Sequence, residues 1–94
     1  MKSILQSEKK CWITGAKEGL HKHHIYYGTG NRKVSEANGF YVWLLSDWHN
    51  MSDYGVHFNK SFDTDLKEIC QREYERTHSR EEFIKLIGRN YLDF

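Results

Sequence analysis

The chain has 94 residues, 38% hydrophobic and 29% charged, with no proline, a balance that argues for one small folded domain over a disordered chain. No apolar run approaches the length of a membrane span, and MKSILQSEKK holds only a two-residue apolar patch where a secretory signal needs a longer one, so a cytoplasmic placement is expected. Net charge is only +1, yet seven basic residues stand against two acidic ones up to Lys33, and seven against eleven from Val34 onward. Positive charge thus collects in the N-terminal part, as a phosphate backbone would require, although solvated surface accounts for the same pattern when charge is taken alone.

Residues 1–10 are polar and basic without a clear period and read as an arm or a short first helix. Cys11–Thr14 (CWIT) is β-prone and ends at Gly15, and AKEG reads as a turn in which Gly19 can take a positive φ. LHKHHIYY reads as a strand rich in aromatic and β-branched residues, stopped by Gly28 and Gly30, and is expected to pair with CWIT as a hairpin. In VSEANG, Ser35 is placed to cap a single helical turn closed by Gly39. FYVWLL is the most apolar run and the best strand candidate, whereas SDWHNMSDYG reads as a loop.

From Asp63 the pattern is helical: Phe62, Leu66, Ile69, Cys70 and Tyr74 form one apolar stripe. Ser79 and Glu82 have capping-box spacing and open a second helix lined by Phe83, Leu86, Ile87 and Tyr91. The expected fold is a single α+β domain, with an arm over 1–10, a core over 11–60 and a helical part over 61–94. Cys11 and Cys70 belong to no CxxC pair and are expected as buried free thiols.

Five of the six histidines, His21, His23, His24, His49 and His57, lie between Leu20 and His57. Imidazole both ligates divalent metals and moves a proton near neutral pH. Phosphodiester hydrolysis needs both tasks done within a few ångströms, a cation at the phosphate and a base for the nucleophile. His23 and His24 are adjacent, so in a regular strand they point to opposite faces, and both reach one site only if the strand ends or bends there.

Cys-x-x-Thr-Gly, then LHKHHI, then a loop, a strand and later histidines resembles the HNH nuclease superfamily, also called His-Me finger or ββα-metal nucleases. The likeness is to small phage-encoded members, with HHI where Asp-His-Ile is commoner, and it spans roughly residues 11–60. It implies a β-hairpin followed by a helix around one divalent ion, with an additional C-terminal helix here. His23 would be the first metal ligand, His24 the general base that deprotonates water, and His49 and His57 the remaining ligands. The family's central asparagine, which holds the base-bearing loop, falls on Asn38, with Asn50 and Asn59 as the other asparagines near the later histidines. Many members carry two CxxC pairs around a structural zinc; only Cys11 and Thr14 stand at the first pair here, so no structural zinc is expected.

The resemblance implies a metal-dependent endonuclease that cleaves DNA in a bacterial or phage-infected cell and leaves 5′-phosphate ends. Lys22, Arg32 and Lys33 are the candidate backbone contacts, with solvated surface an equal reading. The sequence does not choose among Mg²⁺, Mn²⁺, Zn²⁺ and Ni²⁺. The expected partners are DNA and, beyond it, a larger phage or host recombination or packaging complex. The other reading is a degenerate member that keeps metal for folding and binds DNA or a protein without cutting. Taken singly, His49 and His57 each fit an ordinary hydrogen-bonded histidine, and His21 a structural residue or phosphate contact.

Overall fold

The computed structural model describes residues 1–46, 48 and 59–92. Strands β1 (Leu20–His24) and β2 (Tyr41–Leu45) pair antiparallel, with Leu20 opposite Leu45 and His24 opposite Tyr41. Helix α1 (Asn31–Asn38) lies in the connection between them, and α2 (Lys60–Tyr74) and α3 (Arg80–Ile87) follow. The α+β expectation holds at that level: one two-stranded sheet and three helices among the described residues, an order compatible with a hairpin-plus-helix core. No helix among these residues is long and apolar enough to cross a membrane.

The partner of β1 is not CWIT. CWIT meets the sheet only at its start, where Cys11 forms an isolated parallel bridge to Trp43 and Trp12 N–H donates to the Trp43 carbonyl at 2.8 Å, and Gly15 N–H donates to the Cys11 carbonyl to close a tight turn over the next residues. Gly15, at φ 79°, supports that turn and leaves CWIT too short to run as a strand. FYVWLL offers apolar residues to both faces, so it can bury Val42 and Leu44 inward while pairing with β1.

β1 also ends at His24, before the expected Tyr27. Ile25 and Tyr26 turn into the core, where both are buried. Ser35, expected as a helix cap, sits inside α1 instead. Its buried hydroxyl donates to the Tyr26 carbonyl at 2.6 Å and accepts from the Tyr26 N–H at 3.3 Å. A chain that turns inward must satisfy its backbone polar groups, and Ser35 does so for Tyr26. Helix α1 ends as expected at Gly39, in the left-handed region at φ 74°, where an added Cβ would run into the Lys2 carbonyl.

Residues 1–10 contain no helix. Ser3 Oγ donates to the Tyr41 carbonyl at 2.5 Å, Gln6 Oε1 accepts from Trp43 N–H at 2.8 Å, and Ile4 N–H donates to the Gly39 carbonyl. The arm thereby covers the edge of β2 that β1 leaves open, which would otherwise present unpaired backbone groups. Trp43 is half-buried under this arm with the Lys9 ammonium 4.4 Å over its ring.

The core gathers Ile25, Tyr26, Phe40, Leu44, Leu66 and Phe83, all at most 1% exposed. Tyr26 packs edge-on to Phe40 and Phe83, and Phe40 to Tyr74, with ring centroids 5.3–5.5 Å apart. Such offset rings suit the aromatic quadrupole. In α2, Leu66, Cys70 and Tyr74 are buried as the stripe requires, but Ile69 is exposed. The α3 capping box is present: Ser79 Oγ accepts from Glu82 N–H, and Glu82 accepts from Ser79 N–H.

Gln71 carries a role that periodicity does not disclose. Fully buried, it donates to Asn90 Oδ1 and accepts from Tyr91 N–H at 2.8 Å each, which binds the segment beyond α3 to α2. Tyr91 therefore packs from outside the helix in which it was expected. Both cysteines are free and buried, and burial pushes the Cys70 thiol up to about 12.

Candidate functional site

Strand alternation decides where the histidines of β1 go. Paired residues share a face, so His21 and His23 lie with Val42 and Leu44, while Lys22 and His24 lie with Tyr41 and Trp43. His23 and His24 are therefore on opposite faces of the sheet, since β1 remains regular through His24. His23 is 1% exposed, on the face that looks into the core, and its ring lies 6.2 Å from that of Tyr27.

His24 meets a carboxylate. Its Nε2 is 2.8 Å from Oε1 of Glu36, in the last turn of α1. The same carboxylate accepts from Lys22 Nζ at 3.2 Å, and that ammonium stands 4.3 Å over the ring of Tyr41. His24 and then Lys22 hold the Glu36 carboxyl below the usual carboxylate range. Tyr41 also backs the imidazole, with ring centroids 6.3 Å apart. An open groove of about 420 Å³ is lined by His24, Arg32, Lys33 and Glu36. Two of the expected phosphate contacts, Arg32 and Lys33, thus share a surface with the expected base; Lys22 is engaged with Glu36 beside it.

Two ties position this groove. Ser35 fastens the turn after β1 to α1, and Asn31 Nδ2 donates to the Ile87 carbonyl at 3.1 Å, holding the start of α1 to the end of α3. Glu36 is consequently delivered to His24 by a helix anchored at its start and at Ser35, the residue before Glu36.

Asn38 is placed elsewhere. Its Nδ2 donates to the Val34 carbonyl inside its own helix, and among the described residues it makes no hydrogen bond to the His23–His24 stretch. It lines a cavity of about 410 Å³ with Met1, Ile4, Tyr74 and His78, which shares no residue with the groove at His24. Asn59 serves as the N-cap of α2, accepting from Phe62 N–H at 3.0 Å. His49, His57 and Asn50 lie outside the described residues.

On the His23 side, Lys67 of α2 stands 4.4 Å over the Tyr27 ring and donates to Asp63 Oδ2 at 2.8 Å. Burial works to lower the Lys67 ammonium, but the Asp63 carboxylate outweighs it and holds the pKa above its ordinary value. Burial and then Asp63 push the Tyr27 hydroxyl up. Among the described residues no three His, Cys, Asp or Glu side chains gather closely enough to hold a metal ion, and of the expected ligands only His23 lies among them.

Glu36 is the residue that sequence reasoning missed. Its partner is 12 positions away, and a helix read as a single turn from Ser35 gave no reason to bring that carboxylate to the strand. The detectable signal is the left-handed glycine pair at 28 and 30 ahead of NRKVSEAN, which starts the helix early enough to carry Glu36 past His24. Comparison with protein-family models, curated proteins and solved structures finds no match.

Proposed function

We propose that the chain is a metal-dependent endonuclease of HNH type that hydrolyses DNA phosphodiester bonds. What supports this reading is the His24 imidazole, hydrogen-bonded to a carboxylate and opening onto a groove shared with Arg32 and Lys33. An imidazole held this way serves as a general base, and the two cations suit the phosphates that flank a scissile bond. His24 takes a proton from water, the resulting hydroxide attacks phosphorus, and the bond to the 3′-oxygen breaks to leave a 5′-phosphate.

A divalent ion on His23, with His49 and His57 as further ligands, belongs to the same proposal and would supply charge neutralisation at the phosphate, which requires β1 to bend between His23 and His24, since the two lie on opposite faces of the sheet. Buried imidazole as donor suits Zn²⁺ or Ni²⁺ more than Mg²⁺. So small a domain has little surface for reading bases, so weak sequence preference or specificity borrowed from a larger phage or host complex is expected.

The test is nicking of supercoiled plasmid with Mg²⁺, Mn²⁺, Zn²⁺ or Ni²⁺ added in turn. His24→Ala should slow nicking by roughly 10²–10⁴-fold, the usual worth of a positioned base. Metal-dependent nicking that survives His24→Ala defeats the proposal. The second reading, a binding module without cleavage, draws on the opposite placement of His23 and His24. It predicts that metal raises the melting temperature of the wild type and not of His23→Ala, with no substrate cut.

A further inference from the structure

We infer that Glu36 is a positioning residue that fixes the tautomer of His24, placing the proton on Nε2 and leaving Nδ1 as the nitrogen that accepts a proton from water. The inference rests on the nuclease reading for its chemical meaning, but its structural content stands on the geometry alone.

An ionised carboxylate only accepts hydrogen bonds. Glu36 Oε1 lies 2.8 Å from Nε2 of His24, and Oε2 already accepts from Lys22. The carboxyl is held below its usual range by those two partners, so it is ionised at neutral pH. Nε2 must then be the donor, and the neutral ring keeps its lone pair on Nδ1. Among the described residues, Nδ1 of His24 makes no hydrogen bond, so it is the nitrogen left for a water. The groups facing the dyad are accounted for on each element: Lys22 on β1, Tyr41 on β2, and Arg32 and Lys33 on α1. None of them is a carboxylate that competes with Glu36.

The chemistry balances without another reactant. Water yields its proton to Nδ1, and the doubly protonated ring keeps its Nε2–H on Glu36. The new P–O bond forms as the P–O3′ bond breaks, the leaving oxygen takes a proton from solvent, and the ring returns one to solvent. Glu36 itself never gains a proton. It steadies the ring orientation and the positive charge that develops during attack.

Two measurements test this on the full chain. Long-range ¹H–¹⁵N spectra of histidine-labelled protein, with the His24 signals identified by their loss in His24→Asn, report the tautomer directly. Neutral His24 should be the Nε2–H form in the wild type. It should remain so in Glu36→Gln, whose amide carbonyl still accepts, and become a mixture in Glu36→Ala. An Nδ1–H form in the wild type, or the same tautomer population in Glu36→Ala, overturns the inference.

Plasmid nicking supplies the second measurement. Glu36→Ala should lower kcat by roughly 10- to 100-fold with KM nearly unchanged, and Glu36→Gln should fall between it and wild type. If the wild type cuts and Glu36→Ala retains its full kcat, the positioning role fails while the nuclease reading survives. If the wild type cuts nothing, the nuclease reading fails, and the spectra still decide whether Glu36 sets the tautomer.

Discussion

Replacing Ser35 with alanine removes the clasp between β1 and α1. The Ser35 hydroxyl is 0% exposed, donates to the Tyr26 carbonyl at 2.6 Å and accepts from the Tyr26 N–H at 3.3 Å. No other hydrogen bond to those two backbone groups is found among the described residues. The substitution therefore strands a buried carbonyl and a buried N–H, each worth about 1–3 kcal/mol. The longer bond contributes at the low end of that range, and the better helix propensity of alanine returns about 0.5 kcal/mol. The net loss is about 2–3 kcal/mol, and at about 4–8 °C per kcal/mol for a domain of this size the melting temperature should fall by roughly 10–20 °C.

Scanning calorimetry of wild type and Ser35→Ala measures this, with the exposed Lys33→Ala on the same helix as a control expected within about 0.5 kcal/mol of wild type. A Ser35→Ala protein that melts within about 3 °C of wild type would refute the reasoning, because the turn would then owe its position to packing alone. The same variant should weaken the His24–Glu36 contact, since Ser35 and Glu36 are neighbours on the helix that reaches His24.

Three other outcomes are expected. Gly39→Ala forces a left-handed conformation at φ 74° and drives a Cβ into the Lys2 carbonyl, so urea unfolding should show a loss of at least about 1–2 kcal/mol, with the arm more readily proteolysed. Phe83→Ala empties the centre of the aromatic cluster formed with Tyr26, Phe40 and Tyr74 and should cost about 3–5 kcal/mol by the same measurement. The carboxyls of Glu36, lowered by His24 and Lys22, and of Glu75, lowered chiefly by Arg80, titrate below their unfolded value of about 4.3. Their stabilisation is fully present above that value and is lost as pH falls through the lower folded pKa. The acid limb of melting temperature against pH should accordingly be shallower in a Glu36→Gln, Glu75→Gln double variant than in wild type, and identical limbs would contradict the assignment.

Much of the scaffold was legible in the residues. Leu66, Cys70 and Tyr74 at helical spacing must share a face, Ser79 with Glu82 can close a capping box, and the length and aromatic content of FYVWLL favour a strand over a buried helix. These are local relations, set within a few positions by backbone periodicity and side-chain reach.

Which strand pairs with which is not local. CWIT and LHKHHI looked like neighbours in sequence, but β1 buries Val42 and Leu44 only by crossing a helix to reach β2, and the arm then covers the remaining edge. That choice follows from the total apolar area removed from water, a sum over contacts distant along the chain. The histidines show the same division. That His23 and His24 face apart follows from strand alternation and could be stated from the sequence. That His24 meets Glu36, and that Asn38 turns away toward Val34, depended on where α1 came to rest against Tyr26 and Ile87. Residue types set what chemistry the groove can offer, and long-range packing decided which side chains share it.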